Sequence, residues 1–170
     1  ERAHVPTMAS TIRSTSITPM APLGDIVWGH AVSTDLVNWI ILEPAIERDS
    51  PGDINGCWTG SATILPGGQP IVIYTGGDAE NHQVQNIMLP KNRSDPYLRE
   101  WTKAGNNPVL QLVGPGFNSS QFRDPTTGWI GPDGLWRMSI GAEVNGYGAA
   151  LLYKSERLSK LDYSSSPTVF

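Results

Sequence analysis

The chain has 170 residues, a length typical of one domain. It carries 16 acidic and 12 basic side chains, and the formal net charge of -4 excludes a basic nucleic-acid-binding protein. Its 18 glycines and 14 prolines favour short segments joined by turns and argue against a helical bundle. No apolar run approaches the roughly 20 residues that span a bilayer, so we expect no membrane partner.

Residues 1–24 form a lead segment that differs from the rest of the chain. It is rich in Ser, Thr, Pro and Met without periodicity. Its start lacks the order of charged, apolar and small residues that is typical of a secretion signal. We expect residues 1–24 to be non-native or disordered, and residues 1–23 to lack native strand pairing.

From residue 26 onward, apolar, β-branched and aromatic runs alternate with clusters of turn residues, which is typical of an all-β protein. Gly-rich or Asn-Gly turns at 66–68, 76–78, 131–134 and 145–146 favour tight hairpins. No amphipathic helix is predicted. In chain order, the predicted strands cover residues 26–33, 39–42, 58–65, 71–75, 84–89, 122–130, 135–140 and 149–154.

Two pairs of motifs repeat at nearly the same spacing. The segment WTGS at 58–61 precedes FRDP at 122–125 by 64 residues, and Trp39 precedes Trp101 by 62 residues. A unit of this length with about four short strands is typical of a propeller blade, which buries both faces only by stacking on its neighbours. The chain is therefore predicted to hold about two to three four-stranded antiparallel blades, fewer than the four or more that close a ring.

Cysteine and histidine usage gives no metal or redox signature. Cys57 is alone, which excludes an internal disulfide, and we interpret it as a small buried hydrophobe. His4, His30 and His82 lie far apart without metal-ligand spacing, so each is interpreted as structural or surface. Phosphate-binding glycine loops and Gly-x-Ser-x-Gly are also missing, and we predict neither a metal nor a cofactor.

One block places a charged pair where its repeat partner is small and neutral. Arg123 and Asp124 stand in the position that Thr59 and Gly60 hold in the other repeat. A carboxylate near the ring axis accepts hydrogen bonds from sugar hydroxyls, and an adjacent guanidinium keeps it ionised and oriented. The alternative is a structural Arg-Asp pair that closes the turn before Pro125.

Aromatic residues and sequons add two weaker indications. Tryptophan rings pack on the apolar faces of sugars, although most tryptophans of this chain are expected in the core. Trp58 is the strongest candidate because its repeat position directly precedes that of the Arg-Asp pair. Asn92 and Asn118 begin Asn-x-Ser sequons, which favour N-glycosylation and, weakly, secretion.

Several segments together resemble the plant members of glycoside hydrolase family 32: acid invertases, fructan exohydrolases and fructosyltransferases. The matching segments lie within about residues 25–156 and read WGHAVSTDLVNW at 28–39, WTGSAT at 58–63, IYTG at 73–76, QN at 85–86 and FRDP at 122–125. The resemblance implies a five-bladed β-propeller followed by a β-sandwich. It also implies hydrolysis of O-glycosyl bonds in sucrose or fructans with retention of configuration.

The family's three catalytic carboxylates are an Asp nucleophile in Asn-Asp-Pro-Asn-Gly, a Glu acid/base in Glu-Cys, and the Asp of Arg-Asp-Pro. The resemblance implies that Asp124 stabilises the transition state, and that Arg123, Trp58 and Thr59 contact the sugar. The nucleophile motif does not occur before residue 28, and the acid/base motif does not follow residue 123. We therefore expect the 170-residue chain to be inactive by itself.

These observations predict three regions: the lead segment 1–24, a partial propeller domain at 25–156, and a divergent tail at 157–170. The C-terminal sandwich is expected to be absent. The codons for residues 8–24, read in a shifted frame, permit a segment similar to the family's sequence upstream of residue 28. We therefore interpret the lead segment as an out-of-frame translation.

Other functions stay open at this point. One is a non-catalytic propeller fragment that binds carbohydrate or a partner, and another is a pseudogene product without a stable fold. The sequence does not separate invertase from fructan exohydrolase or fructosyltransferase. It also leaves open the oligomeric state and the choice between apoplast and vacuole, the two locations that the resemblance implies.

Overall fold

The structure, a computed structural model, describes residues 7–15, 25–158 and 167–170, with side chains described from residue 26 onward. Within these ranges the regular elements are thirteen β-strands. None of the described residues forms a helix that could cross a membrane.

The strands form three antiparallel sheets that follow one another along the chain. The first sheet has the order β1 (Thr7–Thr15), β2 (Asp25–Ser33) and β3 (Ile40–Ile46). The second has the order β4 (Cys57–Ile64), β5 (Pro70–Gly77), β6 (Gln83–Pro90) and β7 (Trp101–Lys103), and β8 (Leu110–Gln111) also pairs with β6. In the third, β9 (Phe117–Arg123) and β10 (Trp129–Ile130) both pair with β11 (Trp136–Val144), which is followed by β12 (Tyr147–Ser155) and β13 (Thr168–Val169).

The second sheet is buried on both faces because it lies between the other two. Successive side chains of a strand point to opposite faces, so the apolar run Ile71–Tyr74 of β5 serves two cores at once. Ile71 and Ile73 pack with a cluster from the third sheet that includes Phe122, Met138 and Leu151. The intervening side chains pack with residues of the first sheet in a second cluster, made of Trp28, Ile46, Cys57, Val72, Tyr74 and Met88. The interpretation of Cys57 as a buried hydrophobe is confirmed, since its thiol is free and fully buried.

The all-β prediction is confirmed, but three details differ from the predicted elements. The expected strand 122–130 is two strands, because Pro125 has no N–H for a sheet hydrogen bond and Asp124 has a φ of 63°. The short strands β7, β8 and β13 were not predicted because two or three residues show no period. Residues 7–15 pair along their whole length with β2, in contrast to the expected lack of strand pairing over 1–23. The expectations for 1–6 and 16–24, and part of the tail at 159–166, lie outside the described residues.

His30 of β2 gives the fold a specific dependence on pH. The ring is only 3% exposed, and among the described residues neither nitrogen has a hydrogen-bond partner. Burial lowers the pKa of His30, partly opposed by the negative charge of Asp95. Because the unfolded chain binds this proton more readily, His30 contributes stability that is present above its unfolded pKa of about 6.5 and is lost as the pH falls below that value.

We expect the free energy of unfolding to decrease between pH 7 and pH 5, with a limiting slope for one proton of about 1.4 kcal/mol per pH unit. Urea titrations at several pH values would measure this slope, and His30→Leu should remove it. The matched change His82→Leu, at an exposed histidine, should leave it in place. An undiminished slope in His30→Leu would show that another group is responsible.

Candidate functional site

A polar cleft of about 580 Å³ lies where the second and third sheets meet. Four amide side chains, one guanidinium and one indole contribute to its lining: Asn55, Asn81, Gln83, Gln121, Arg123 and Trp58. Such a set offers hydrogen-bond donors and acceptors next to one apolar ring. The cleft therefore offers a hydroxyl-rich ligand both hydrogen-bonding groups and apolar surface.

Trp58 is directed by an irregularity at the start of β4. The pairing of β4 with β5 shifts between Cys57 and Gly60, which places Trp58 and Thr59 in a bulge. Before the bulge, Gly56 has a φ of 136°, and a Cβ there would lie 2.6 Å from the indole Nε1 of Trp58. The indole N–H of Trp28 donates to the Trp58 carbonyl oxygen at 2.8 Å, which fixes the backbone from the first sheet. Thr59, in contrast, is exposed and lines neither this cleft nor the adjoining one.

Arg123 ends β9 and lines two neighbouring hollows. Its Nη1 donates to Gln121 Oε1 at 2.6 Å and to Gln83 Oε1 at 3.4 Å. Its Nε lies 3.8 Å from a carboxylate oxygen of Asp124, and the two side chains are 42% and 58% exposed. An ion pair with this exposure stabilises the fold little. Both groups consequently remain accessible to a ligand.

Asp124 lines a different hollow from Trp58. With Arg123 and Gln121 it lines an adjoining hollow of about 310 Å³, whose far wall is formed by Glu143 and the small residues of β11 and β12. The structure thus brings Trp58 and Arg123 into one cleft and Asp124 into the next, and Arg123 joins the two. The predicted roles of these side chains stay predictions.

The loop before Trp58 rests on a buried polar network that the sequence analysis missed. Asp53 is fully buried; one carboxylate oxygen accepts from the Ser50 N–H and hydroxyl, at 3.0 and 2.8 Å. The other oxygen accepts from the Tyr74 hydroxyl and Lys103 Nζ, each at 2.6 Å. Burial, and then the charge of Asp53, raises the pKa of Tyr74, so its hydroxyl remains a donor. The signal in the sequence was a tyrosine directly after the aliphatic residues 71–73.

This network positions the loop that carries Asn55 into the cleft. The Asn55 N–H donates to the Gly77 carbonyl at 2.9 Å, and its side-chain amide donates to the Asp78 carbonyl at 2.7 Å. Asn86, buried in β6, donates to the Gly52 carbonyl at 2.8 Å. The loop is therefore tied to β5 and β6 at several points, although its residues lie more than 20 positions from most of their partners.

Asp78, Glu80 and His82 form a cluster of possible metal ligands. Ligand atoms of Asp78, Glu80 and His82 lie within 4.8 Å of one another, but the Asp78 carboxylate already accepts the backbone N–H groups of the other two. This arrangement closes a surface turn and indicates no metal by itself.

Of the two sequons, Asn92 is exposed, while Asn118 is half-buried and its amide donates to Glu143 at 3.2 Å.

Comparison with known proteins gives a consistent set of similarities. The N-terminal domain of glycosyl hydrolases family 32 matches residues 17–169. Over 133 residues the chain is 78% identical to a fructan 1-exohydrolase from Aegilops tauschii and 77% identical to the β-fructofuranosidase, insoluble isoenzyme 4, from Oryza sativa subsp. japonica. Each alignment covers 78% of this chain but only 22% of the relative's length.

A solved structure shows the same similarity in three dimensions. The crystal structure of a Glu-to-Gln variant of fructan 1-exohydrolase IIa from Cichorium intybus in complex with 1-kestose superposes with a TM-score of 0.78 at 47% identity. The match covers 88% of this chain and 28% of that one. The resemblance noted from the sequence motifs and the propeller-type fold class are thereby confirmed.

Proposed function

The chain belongs to glycosyl hydrolases family 32, as part of that family's N-terminal domain, and from this premise we propose that the cleft and the adjoining hollow together bind the fructosyl unit of sucrose or a fructan. The whole enzyme would be a β-fructofuranosidase-type hydrolase, which transfers this fructosyl unit to water. The observation that carries the proposal is the joint position of Trp58 and Arg123 in one polar cleft, with Asp124 next to Arg123.

Each of the three side chains supplies a different contact. The apolar face of a furanose ring packs on the Trp58 indole, whose own face is electron-rich. The Asp124 carboxylate accepts two hydroxyl hydrogen bonds, and Arg123 donates to ring or hydroxyl oxygens. Hydrogen bonds to charged groups are stronger than neutral ones, so this pair is expected to supply most of the specificity.

Asp124 also contributes to the reaction of the whole enzyme. A retaining glycosidase passes through an oxocarbenium-like transition state, in which positive charge develops on the sugar. A fixed carboxylate that holds the adjacent hydroxyls stabilises this charge more than it stabilises the ground state. The resemblance assigns one of the family's three catalytic carboxylates, Asp124, to this chain. Binding, rather than turnover, is therefore the appropriate first measurement.

Titration of the 170-residue chain with 1-kestose or sucrose, followed by NMR, tests the proposal. Asp124→Asn keeps the shape of the side chain but removes its charge, and we expect affinity to fall about ten- to a hundredfold, the range for a hydrogen bond to a charged group. The matched control is Asp133→Asn, which removes the charge from the pair Arg137–Asp133 at 2.7 Å in the same sheet. The control should bind as the wild type does. Equal affinities of wild type and Asp124→Asn would contradict the proposal.

A further inference from the structure

Three polar side chains are buried at the junction between the second and third sheets, directly behind the Arg-Asp pair. Thr75 of β5 and Gln85 of β6 are fully buried, and Gln83 is 7% exposed. Neighbouring positions in both strands are apolar core residues such as Ile73 and Ile87. Buried polar groups are expensive unless they are hydrogen-bonded, so the partners of these three decide what they do.

Gln83 and Gln85 make the backbone hydrogen bonds to β9 that a neighbouring strand would otherwise make. Gln83 Oε1 accepts from the Phe122 N–H, and Gln85 Nε2 donates to the Phe122 carbonyl oxygen, each at 2.8 Å. On its other side β9 pairs with β11, where Phe122 lies opposite Ala142. Both backbone groups of Phe122 are therefore satisfied by side chains from another sheet, and the end of β9 is fixed in both directions.

Thr75 extends this connection to Asp124. Its hydroxyl accepts the Asp124 N–H and donates to Gln85 Oε1, both at 3.1 Å. The side-chain oxygen of Gln85 accepts from Thr75, and its side-chain nitrogen donates to Phe122, as an amide oxygen and an amide nitrogen ordinarily do. The hydrogen bonds thus join the backbone on both sides of Arg123, whose own guanidinium contacts Gln83.

The backbone at Asp124 needs such support. Its φ of 63° is in the left-handed region, which few residues other than glycine, asparagine and aspartate adopt. Because Pro125 follows, the extended region is the one that Asp124 would otherwise prefer. Strained backbone persists only where surrounding contacts hold it in place, and it is common in binding sites.

We propose that Thr75, Gln83 and Gln85 are positioning residues, which hold Asp124 in its left-handed conformation and so direct the Arg123–Asp124 pair toward the sugar. The inference rests on the proposed function, since it concerns the same site. None of the three residues is assigned a contact with the reacting atoms.

The chain offers a closely matched set of variants for the test. Thr75→Val removes the hydroxyl with almost no change of shape, and Thr75→Ser restores the hydroxyl. Thr63→Val is the control, because Thr63 is also buried and its hydroxyl accepts a backbone N–H, from Gly128 at 2.8 Å, away from Asp124. We expect Thr75→Val to lower 1-kestose affinity about tenfold, as misplaced binding groups do, while Thr75→Ser and Thr63→Val bind as the wild type does.

Amide hydrogen exchange of Asp124 separates this inference from the proposed function. In Thr75→Val the Asp124 amide should exchange faster than in the wild type and in Thr75→Ser, whether or not sugar binds. Should the wild type fail to bind sugar, the proposed function fails and this exchange comparison still judges the positioning of Asp124. The inference would be overturned if the Asp124 amide exchanged at the same rate in Thr75→Val as in the wild type. It would also be overturned if the wild type bound 1-kestose and Thr75→Val bound it equally well. If Thr75→Val does not fold, Gln85→Met removes the next hydrogen bonds and should give the same two effects.

Discussion

Lys103→Met is expected to lower the free energy of unfolding by about 3 kcal/mol, because it leaves the fully buried Asp53 carboxylate without its cation. Breaking a buried ion pair commonly costs about 3–5 kcal/mol. The lower end applies here, since the Tyr74 hydroxyl and two groups of Ser50 still donate to Asp53. Urea denaturation followed by tryptophan fluorescence would measure the loss.

The same substitution at the surface provides the control. Lys91 pairs with Glu100 at 3.2 Å, but the two side chains are 65% and 68% exposed. Lys91→Met should therefore change stability by no more than about 1 kcal/mol. Equal losses in the two variants would show that the Asp53 network contributes no more than a surface ion pair.

The effect of Lys103→Met should be constant across neutral pH. Burial lowers the pKa of Lys103, but its hydrogen bonds to Asp49 and Asp53 outweigh burial, and the net shift is upward. A raised pKa means that the contribution is fully present below the unfolded value of about 10.4 and is lost as the pH rises through the folded value. The loss in Lys103→Met should accordingly be the same at pH 6 and pH 8.

Gly76→Ala is expected to destabilise the chain by at least about 3 kcal/mol, at or beyond the upper end for overpacked sites. A Cβ at residue 76 would overlap the Gly52 carbonyl oxygen and the Asn86 side-chain amide. These two groups are hydrogen-bonded to each other, and the former is backbone, so neither can move without breaking the contact between loop and sheet. Since the loop carries Asn55 and directly precedes the strand that carries Trp58, sugar affinity should fall together with stability.

Gly105→Ala is the matched control for this prediction. A Cβ there meets no atom within 4 Å, and the backbone is not in the left-handed region. The change should alter the free energy of unfolding by no more than about 0.5 kcal/mol, as most surface substitutions do. Thermal unfolding of both variants would decide the matter, and a stable Gly76→Ala with unaltered 1-kestose affinity would refute the packing argument.

Much of the architecture followed from local pattern alone. Residues 71–75 were predicted as a strand because a largely apolar run between Pro-Gly-Gly and Gly-Gly-Asp turns is typical of a short buried strand, and β5 spans them. The site candidates Trp58, Arg123 and Asp124 followed from two motifs repeated at one spacing. Each of these signals lies within about ten residues of chain or in a direct repeat, where periodicity and turn chemistry are informative.

The sequence by itself determined that the chain folds into short antiparallel strands, because strand period and turn preference are local properties. The family resemblance of its motifs predicted the sugar contacts. Only the tertiary structure decided that Asp53 and Lys103 support the loop before Trp58, and that Thr75, Gln83 and Gln85 hold the backbone at Asp124. Apart from the bond between Thr75 and Gln85, these contacts join residues more than 20 positions apart in different strands, sheets and loops. A buried polar side chain reveals its role only through its partner, and packing of the sheets supplies that partner.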